Sequence, residues 1–408
     1  MSRKSVLALD VGSESIKAVV AEAEKGRIRL VYGATKASSG IRRGTVVSME
    51  DAARSIGEVI SEIRSFYRPA AQNIYLNVGG ANGRSQISKG IVAVARANSE
   101  ITTDDMDRVI QASRAINLPQ NRMILHSITR EFVVDGISDI RDPSGMVGSR
   151  LEVSSIIIDA FAPSIKNLQK CVKTAGGEEG GLIFSPLASA RAVLNKNQRE
   201  LGVVMIDIGF GTTSIAVYEE DKLLHANVFP VGAGHITNDL AVALKIPVPA
   251  AERLKVTYGF AVSRDVPSKD IVDLKKIDIN ASGTPSRRFV AEVIESRLQE
   301  IFEFVNEDLR RLGKAGKLPA GAVIVGGGAK LPGIVELAKQ ELKLPAMVGL
   351  PNPGDFEVTD QSLIEYVESP EYAAVLGLVL HCFDNEGIRA SGSGFWDKIK
   401  QTIRNILP

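Results

Sequence analysis

Two segments carry carboxylates, hydroxyls and glycines in a matching pattern: LALDVGSESIKAVV (7–20) and MIDIGFGTTSIAVY (205–218). Each is an apolar run, an Asp, an aliphatic residue, a Gly, a small hydroxyl-rich turn and a second apolar run. The second copy reads as one residue longer in the turn. The pattern suits polyphosphate. Gly12, Gly209 and Gly211 remove side chains, so backbone N–H groups can approach anionic oxygens. Ser13, Ser15, Thr212 and Thr213 add hydroxyl donors. Asp10 and Asp207 bring two carboxylates to the same place, where they repel a phosphate chain unless a cation intervenes. Mg2+ is the cation that takes one or two carboxylates together with phosphate and water. Either segment alone reads equally as a hairpin whose Gly and Asp serve the turn. Two in one chain report a duplicated architecture, with each lobe giving one turn to a shared cleft.

A third segment, VIVGGGAKLPG (323–333), is a strand, three glycines and a helix start. It lacks the Gly-Lys-Ser/Thr of a Walker loop and the spaced glycines of a dinucleotide fold. Bare backbone at a helix N-terminus still favours a ligand. Beside two phosphate turns, Gly326, Gly327, Gly328 and Lys330 become candidates for an adenine and ribose platform.

The elements that must position these residues follow from periodicity. Strands are expected at 6–9, 16–21, 28–35 and 74–78, with a helix over 49–67 stopped by Pro69. A helix at 101–116 with strands at 122–127, 130–134 and 150–159 reads as an α+β insert. Helices follow at 164–175 and 186–194, around an apolar patch at 182–184. The second block opens with strands at 203–206 and 214–218. It continues with helices at 233–244, 249–257 and 288–312, a strand at 322–325 and a helix at 334–340. A last packed helix spans 369–382, and residues 384–394 read as a polar Gly/Ser-rich linker.

Composition bounds the function. The 408 residues are 44% hydrophobic and 24% charged, enough for a large core in two or three domains. Lys plus Arg number 49 and Asp plus Glu 48, which argues against nucleic acid as the partner. The two cysteines, Cys171 and Cys382, form no metal knuckle and point to a reducing cytoplasm. No apolar run is long enough to span a bilayer, and no signal peptide opens the chain.

The final segment, GFWDKIKQTIRNILP, is amphipathic when placed on a helix. Phe395, Trp396, Ile399, Ile403, Ile406 and Leu407 share one arc; Lys398, Lys400 and Arg404 lie on the other side with Asp397. Such a helix packs on its own protein, on a partner or in a membrane interface. The preceding linker, the excess of bases and the leading aromatics favour anionic lipid.

Together the two phosphate turns, the glycine platform and two apolar helices, 186–194 and 372–380, resemble the actin, Hsp70 and sugar-kinase superfamily. The insert sequence NRMILHSITREFVVDGISDIRDPSGMVGSRLEV, with AERLKVTYG (251–259) and FVAEVIESR (289–297), is similar to the FtsA family of bacterial cell-division proteins. The resemblance implies an α/β, bilobed actin-like ATPase fold of two duplicated βββαβα-type lobes, a small α+β insert and a C-terminal amphipathic helix. Lobe 1 would comprise 1–83, 164–200 and 361–383, with the insert at 84–163. Lobe 2 would comprise 201–230 and 318–360, with a further subdomain at 231–317. Residues 384–394 would be the linker and 395–408 a membrane-targeting helix.

The resemblance also implies ATP between the lobes. Residues Gly12, Ser13, Glu14 and Ser15, and Gly209, Phe210, Gly211, Thr212 and Thr213, would hold phosphates. Asp207 and Asp10 would position Mg2+. Gly232 and Gly234 would add backbone contacts, and Glu252 and Lys255 would meet ribose and adenine. Ser185 stands where strongly hydrolysing relatives carry a Glu or Gln that orients water, which implies slow or absent hydrolysis. Implied partners are other copies of the chain, anionic lipid, other division proteins and the C-terminal peptide of FtsZ, met by Arg287, Arg288 and Arg297. The implied location is the cytoplasmic face of the inner membrane at the septum. The alternatives are a pilus-assembly scaffold of the same fold and a sugar kinase.

Overall fold

A computed structural model describes residues 4–24, 26–96, 98–279 and 281–385. The expected helix at 395–408 and most of the linker lie outside the described residues.

The chain opens with an antiparallel meander, β1 (Lys4–Val11), β2 (Ser15–Glu24) and β3 (Arg27–Ala37). A two-stranded ribbon follows, β4 (Ile41–Arg42) and β5 (Thr45–Val46). Helix α1 (Met49–Phe66) is capped by Ser48, whose Oγ accepts the Asp51 N–H, and it buries Ile56, Val59, Ile60 and Ile63. Strand β6 (Ile74–Val78) then pairs parallel to β1.

The insert is built from β7 (Arg84–Ala93), α2 (Thr103–Arg114), β8 (Arg122–Val134), β9 (Ile137–Ile140) and β10 (Arg150–Phe161). The two strands expected at 122–127 and 130–134 are one strand, β8. A bulge at Arg130, which has no partner across from it in β10, mimics a break. Helix α2 lies close over β7, where a Cβ on Gly90 would strike the Val109 carbonyl.

Lobe 1 resumes with α3 (Ala162–Thr174), β11 (Glu179–Phe184), α4 (Ser185–Val193) and α5 (Lys196–Leu201). The apolar patch at 182–184 is the end of β11, parallel to β6. Lobe 2 repeats the meander with β12 (Val203–Ile208), β13 (Thr213–Glu219) and β14 (Lys222–Phe229). Helices α6 (Ala233–Leu244), α7 (Val248–Tyr258) and α8 (Arg287–Arg311) form its outer part. Strand β15 (Gly321–Val325), α9 (Ile334–Leu342) and β16 (Ala346–Val348) complete it.

The return to lobe 1 comes earlier than the expected residue 361. Strand β17 (Phe356–Val358) pairs parallel with β3, so it belongs to the first sheet. Helices α10 (Ile364–Glu368) and α11 (Ala373–Asn385) follow, the latter entered through a 3-10 turn at Pro370–Tyr372. The linker expected from 384 starts later, because Asp384 is buried and its carboxylate receives the Arg191 guanidinium at 2.7 Å.

Among the described residues, one sheet runs β11-β6-β1-β2-β3-β17 and a second runs β16-β15-β12-β13-β14-β7-β10-β8-β9. The insert is spliced into lobe 1 in sequence, yet its strands extend the sheet of lobe 2. The seam is one backbone pair, Asn227 with Arg84. It is reinforced by Ser85, whose Oγ accepts the Ala226 N–H at 2.9 Å and lies 3.0 Å from His225 Nδ1, while His225 Nε2 lies 3.0 Å from Asp308. One core spans the insert base (Ile128, Ile156, Ile158), α4 (Leu187, Ala190) and lobe 2 (Met205, Ala216, Tyr218). Helices α4 and α11 cross at their smallest residues, where any Cβ on Gly377 would strike the Ala188 backbone.

Candidate functional site

The two phosphate turns are superimposable in register. Asp10 stands opposite Lys17 in the first ladder, and Asp207 stands opposite Ser214 in the second. Gly12 N–H donates to the Ser15 carbonyl at 3.1 Å, and Gly209 N–H donates to the Thr212 carbonyl at 2.9 Å. One constant offset therefore relates Asp10 to Asp207, Gly12 to Gly209 and Ser15 to Thr212. The extra residue expected in the second turn does not exist. Gly211 has no glycine counterpart in the first turn; the ladders make it the equivalent of Glu14.

The paired bonds also refine the role of the glycines. The N–H groups of Gly12 and Gly209 close their own turns. What the glycine at position 12 supplies is room, because a Cβ there would sit 2.7 Å from the Ser15 carbonyl oxygen. The backbone that faces a ligand is the turn interior, 13–15 and 210–212. The turns meet: a Cβ on Gly211 would lie 2.7 Å from Ser13 Oγ.

Both turns open on a cleft of about 370 Å3 between the lobes, within the usual size of a small-molecule site. Its walls include Asp10, Gly12, Ser13, Glu14, Ser15, Asp207, Gly209, Phe210, Gly211 and Thr212. They also include Glu252, Lys255, Gly326, Gly327, Gly328 and Lys330. Three expected residues lie behind the wall. Thr213 is the buried first residue of β13. Gly232 packs under the Gly209 carbonyl and Gly234 under the Phe210 ring, since a Cβ on either would strike them. Their part is to let α6 approach the second turn, fixed by Ala233 N–H to Gly209 O and Gly234 N–H to Phe210 O, each 2.8 Å.

At one end of the cleft sit the two carboxylates. Burial, together with the nearby Asp207 charge, pushes the Asp10 carboxyl up to about 6, although Lys17 and Asn77 oppose it. Burial also raises Asp207, against the Ser189 hydrogen bond and Lys17. Asp10 Oδ1 accepts Asn77 Nδ2 at 2.6 Å, and Asp207 Oδ2 accepts Ser189 Oγ at 2.7 Å. Asn77 also reaches Ser185 Oγ at 3.3 Å. Ser185 and Ser189 are one turn apart on α4, so a single helix face serves both carboxylates. Two half-buried carboxylates with polar neighbours form an oxygen-rich donor set that fits a hydrated divalent cation.

At the other end Lys255 is buried and threefold bonded, to Ala233 O at 3.2 Å, Thr237 Oγ1 at 2.9 Å and Glu252 Oε2 at 2.7 Å. Its ammonium lies 5.7 Å from the Phe210 ring centroid. It is no solvated surface pair. Across the cleft Glu14 is raised by burial and by the Glu252 charge. The three glycines divide their roles. A Cβ on Gly326 or Gly328 would strike Asp207 or Ile208, whereas Gly327 faces open space. Lys330 pairs with Glu371 at 3.0 Å, joining the lobes at the mouth.

Sequence reasoning missed Lys17, Asn77, Ser189 and Glu371. Lys17 had a signal: it sits one strand pair beyond the turn, facing Asp10. Ser189 had one too, four residues after Ser185. The arginines expected to meet a peptide lie on the first half of α8. Arg287 and Arg288 donate to the Tyr258 and Val266 carbonyls at 3.0 and 2.9 Å. Arg297 grips Asp239 through two bonds of 2.7 and 3.0 Å.

This fold has known counterparts. A solved PilM–PilN type IV pilus biogenesis complex matches with TM-score 0.65 and 18% identity, over 93% of this chain and 98% of that one. MreB5 of Spiroplasma citri bound to ADP matches with TM-score 0.54 and 13% identity, over 94% and 97%. At these identities the likeness is one of fold, and that fold is actin-like. Residues 204–377 match the profile described as Cell division protein FtsA, and residues 80–159 match the SHS2 domain inserted in FtsA. Cell division protein FtsA of Borreliella burgdorferi is 35% identical over 93% of this chain and 91% of its own length. That of Pseudomonas aeruginosa is 32% identical over 96% and 93%. The chain belongs to the FtsA family of actin-like cell-division proteins.

Proposed function

We propose that this chain binds ATP with Mg2+ in the interlobe cleft, hydrolyses it slowly, self-assembles and tethers FtsZ polymers to the cytoplasmic face of the inner membrane. The observation that carries the nucleotide reading is the pair of equal turns, closed by the same hydrogen bond and meeting at Ser13 and Gly211 across the cleft. The backbone of 13–15 and 210–212 would hold phosphates, Lys17 would offset their charge, and Asp10 and Asp207 would hold Mg2+ through water. The metal would supply charge neutralisation between the carboxylates and the phosphates. Glu252, Lys255 and Gly327 would meet the nucleoside.

Slow turnover follows from the groups at the carboxylate end. Ser185 is engaged by Asn77, and Asn77 Oδ1 already accepts the Val11 N–H at 2.7 Å, so neither is disposed to orient an attacking water. The family's filament habit makes many weak membrane contacts additive, which suits one short amphipathic helix at 395–408. An acidic FtsZ peptide on α8 would have to compete with Asp239 for Arg297.

Liposome sedimentation of the full chain, with and without Mg-ATP and FtsZ, tests the reading. Co-pelleting with anionic vesicles, strengthened by Mg-ATP and carrying FtsZ along, is expected. Vesicle-independent behaviour of both proteins, or turnover in the kinase range of about 1 to 100 per second, overturns it.

A further inference from the structure

The first sheet has two ends. Its parallel strands β1, β6 and β11 finish at the cleft, with Asp10, Asn77 and, just past β11, Ser185. They start at the opposite edge, with Lys4, Ile74 and Glu179. The turn from β2 to β3 lies on that edge as well, since Lys4 stands opposite Ala23 and Arg27 opposite Glu24. Helices α1 and α3 end there because each leads into the start of a parallel strand. Glu178 ties the two ends together, its N–H donating to Ala71 O at 3.1 Å and its carbonyl accepting the Ile74 N–H at 2.9 Å.

The chain passes into its C-terminal segment at the same edge. Phe356 opens β17 opposite Ile28, the second residue of β3, so Asp355 sits at the edge. Asp355 and Asp384 share the Arg191 guanidinium, at 3.6 and 2.7 Å. Asn385, which ends α11, therefore lies on the side away from the cleft. Residues 386–394 then lead to the amphipathic segment, with a reach of about 30 Å when extended.

This edge is basic. Arg64 in the last turn of α1, Lys173 in the last turn of α3, Arg68 and Arg27 are all exposed. Arg64, Arg68 and Gln72 line a niche of about 250 Å3 with Gly176 and Glu178, and Arg64 donates to the Gly176 carbonyl. The exposed Glu178 and Glu179 offset part of the charge. The helix dipoles account for Arg64 and Lys173. They do not account for Arg68, which lies beyond both helices and pairs with no carboxylate among the described residues. Phe66, the last residue of α1, is 66% exposed and rests its ring on Tyr32. Exposed bases beside an exposed aromatic suit a lipid–water interface.

We infer that the edge bearing Arg27, Arg64, Arg68 and Lys173 is a second membrane contact, docking on the headgroups of an anionic bilayer. This deepens the tethering reading and rests on 395–408 being the first anchor. One short amphipathic helix anchors weakly, and a basic patch held beside it is the second signal that makes anchoring stable. The tail keeps the body close to the bilayer, where each base adds affinity. The same docking sets orientation: this edge faces lipid, and the cleft faces away from it.

The test is sedimentation of the full chain with vesicles of phosphatidylglycerol and phosphatidylcholine. The native chain is compared with Arg68→Glu plus Lys173→Glu, and with the milder pair Arg68→Gln plus Lys173→Gln. Both side chains are exposed, so melting should be unchanged and serves as the folding control. Arg264→Glu plus Lys269→Glu makes the same net charge change at exposed positions between α7 and α8 on lobe 2. Reversal at the edge should weaken vesicle binding at least about tenfold and the Gln pair about fivefold, with the lobe 2 control within about twofold of native. Native-like binding by the edge variants, as expected if an acidic protein segment is the true occupant, overturns the inference and leaves the tether reading intact. Equal weakening by the edge and lobe 2 reversals overturns it likewise. The single Trp, Trp396, reports the tail. Failure of the native chain to bind, with Trp396 emission unmoved by vesicles, overturns the tether reading itself, and this inference with it.

Discussion

Asn77 and Asp10 act as one unit: the amide nitrogen holds the carboxylate at 2.6 Å, and the amide oxygen takes the Val11 N–H at 2.7 Å. The side chain thereby fixes both the orientation of the carboxylate and the end of β1. Asn77→Ala should raise the Asp10 carboxyl further, because a bond that favours the charged form is lost. Mg-dependent nucleotide affinity, measured against pH, should fall as pH drops through about 6 in the native chain. In the variant that fall should begin at higher pH. The stranded Val11 N–H should also destabilise the fold by about 1–3 kcal/mol.

The carboxylate pair makes stability depend on pH in the less common direction. Asp10 titrates near 6 when folded against 3.8 ordinarily, and Asp207 is raised as well. Between those values the folded chain keeps protons that the unfolded chain has released, so their contribution is present at low pH and lost as pH rises through about 6. Asp10→Asn should therefore stabilise the ligand-free protein above pH 6, by about 2 kcal/mol, and abolish the Mg2+ dependence of nucleotide binding. Melting curves at pH 5 and pH 8 check the sign: the variant's advantage should appear at pH 8.

Lys255 is a charge held inside by three acceptors. Lys255→Met should destabilise by about 1–3 kcal/mol, because it leaves the half-buried Glu252 without its cation. The double change Lys255→Met with Glu252→Gln should recover most of that loss in a denaturant titration. Nucleotide affinity should stay low in both variants, which separates the structural role of the pair from its ligand role.

Where the chain is cut decides what a truncation tests. Ending after Asn385 keeps the buried Arg191–Asp384 pair, so the melting temperature should not move while vesicle binding is lost. Ending after Phe383 removes the Asp384 carboxylate from Arg191, while its contact with Asp355 at 3.6 Å remains. That shorter form should melt several degrees lower. Sedimentation and melting on the two truncations check both outcomes.

The parts of the fold legible in the sequence are those with a strong period and a clear boundary. Helix α1 has four buried aliphatics at helical spacing and Ser48 before it. Helix α6 has its expected limits. Strands β7 and β14 were invisible for opposite reasons of burial. RSQISKGIVA alternates weakly, because Ile87 and Ile91 face outward and Gly90 serves the close approach of α2. KLLHANVF contains His225 and Asn227, which turn toward Asp308 rather than into the core. Strand β17 has three residues and exists only because β3 offers it an edge. In the site, residues supplied by the turns themselves were readable. Asn77 and Glu371 were not, because their relation to Asp10 and Lys330 is set by parallel pairing and lobe contact over long sequence distances.

The joining of the insert to the second sheet has a mechanical meaning. Its two covalent leads enter from lobe 1, near Gly80–Gly83 and at Phe161, while its hydrogen-bonded seam is with lobe 2. Any rotation of one lobe against the other must twist those leads, and any torque applied to the outer end of the insert, at Ile137, is carried along the strands to the same seam. The insert is thus a strut between the lobes: its leads and His126 Nε2, which accepts the Phe184 N–H at 3.0 Å, fasten it to lobe 1, while the Asn227–Arg84 pair fastens it to lobe 2.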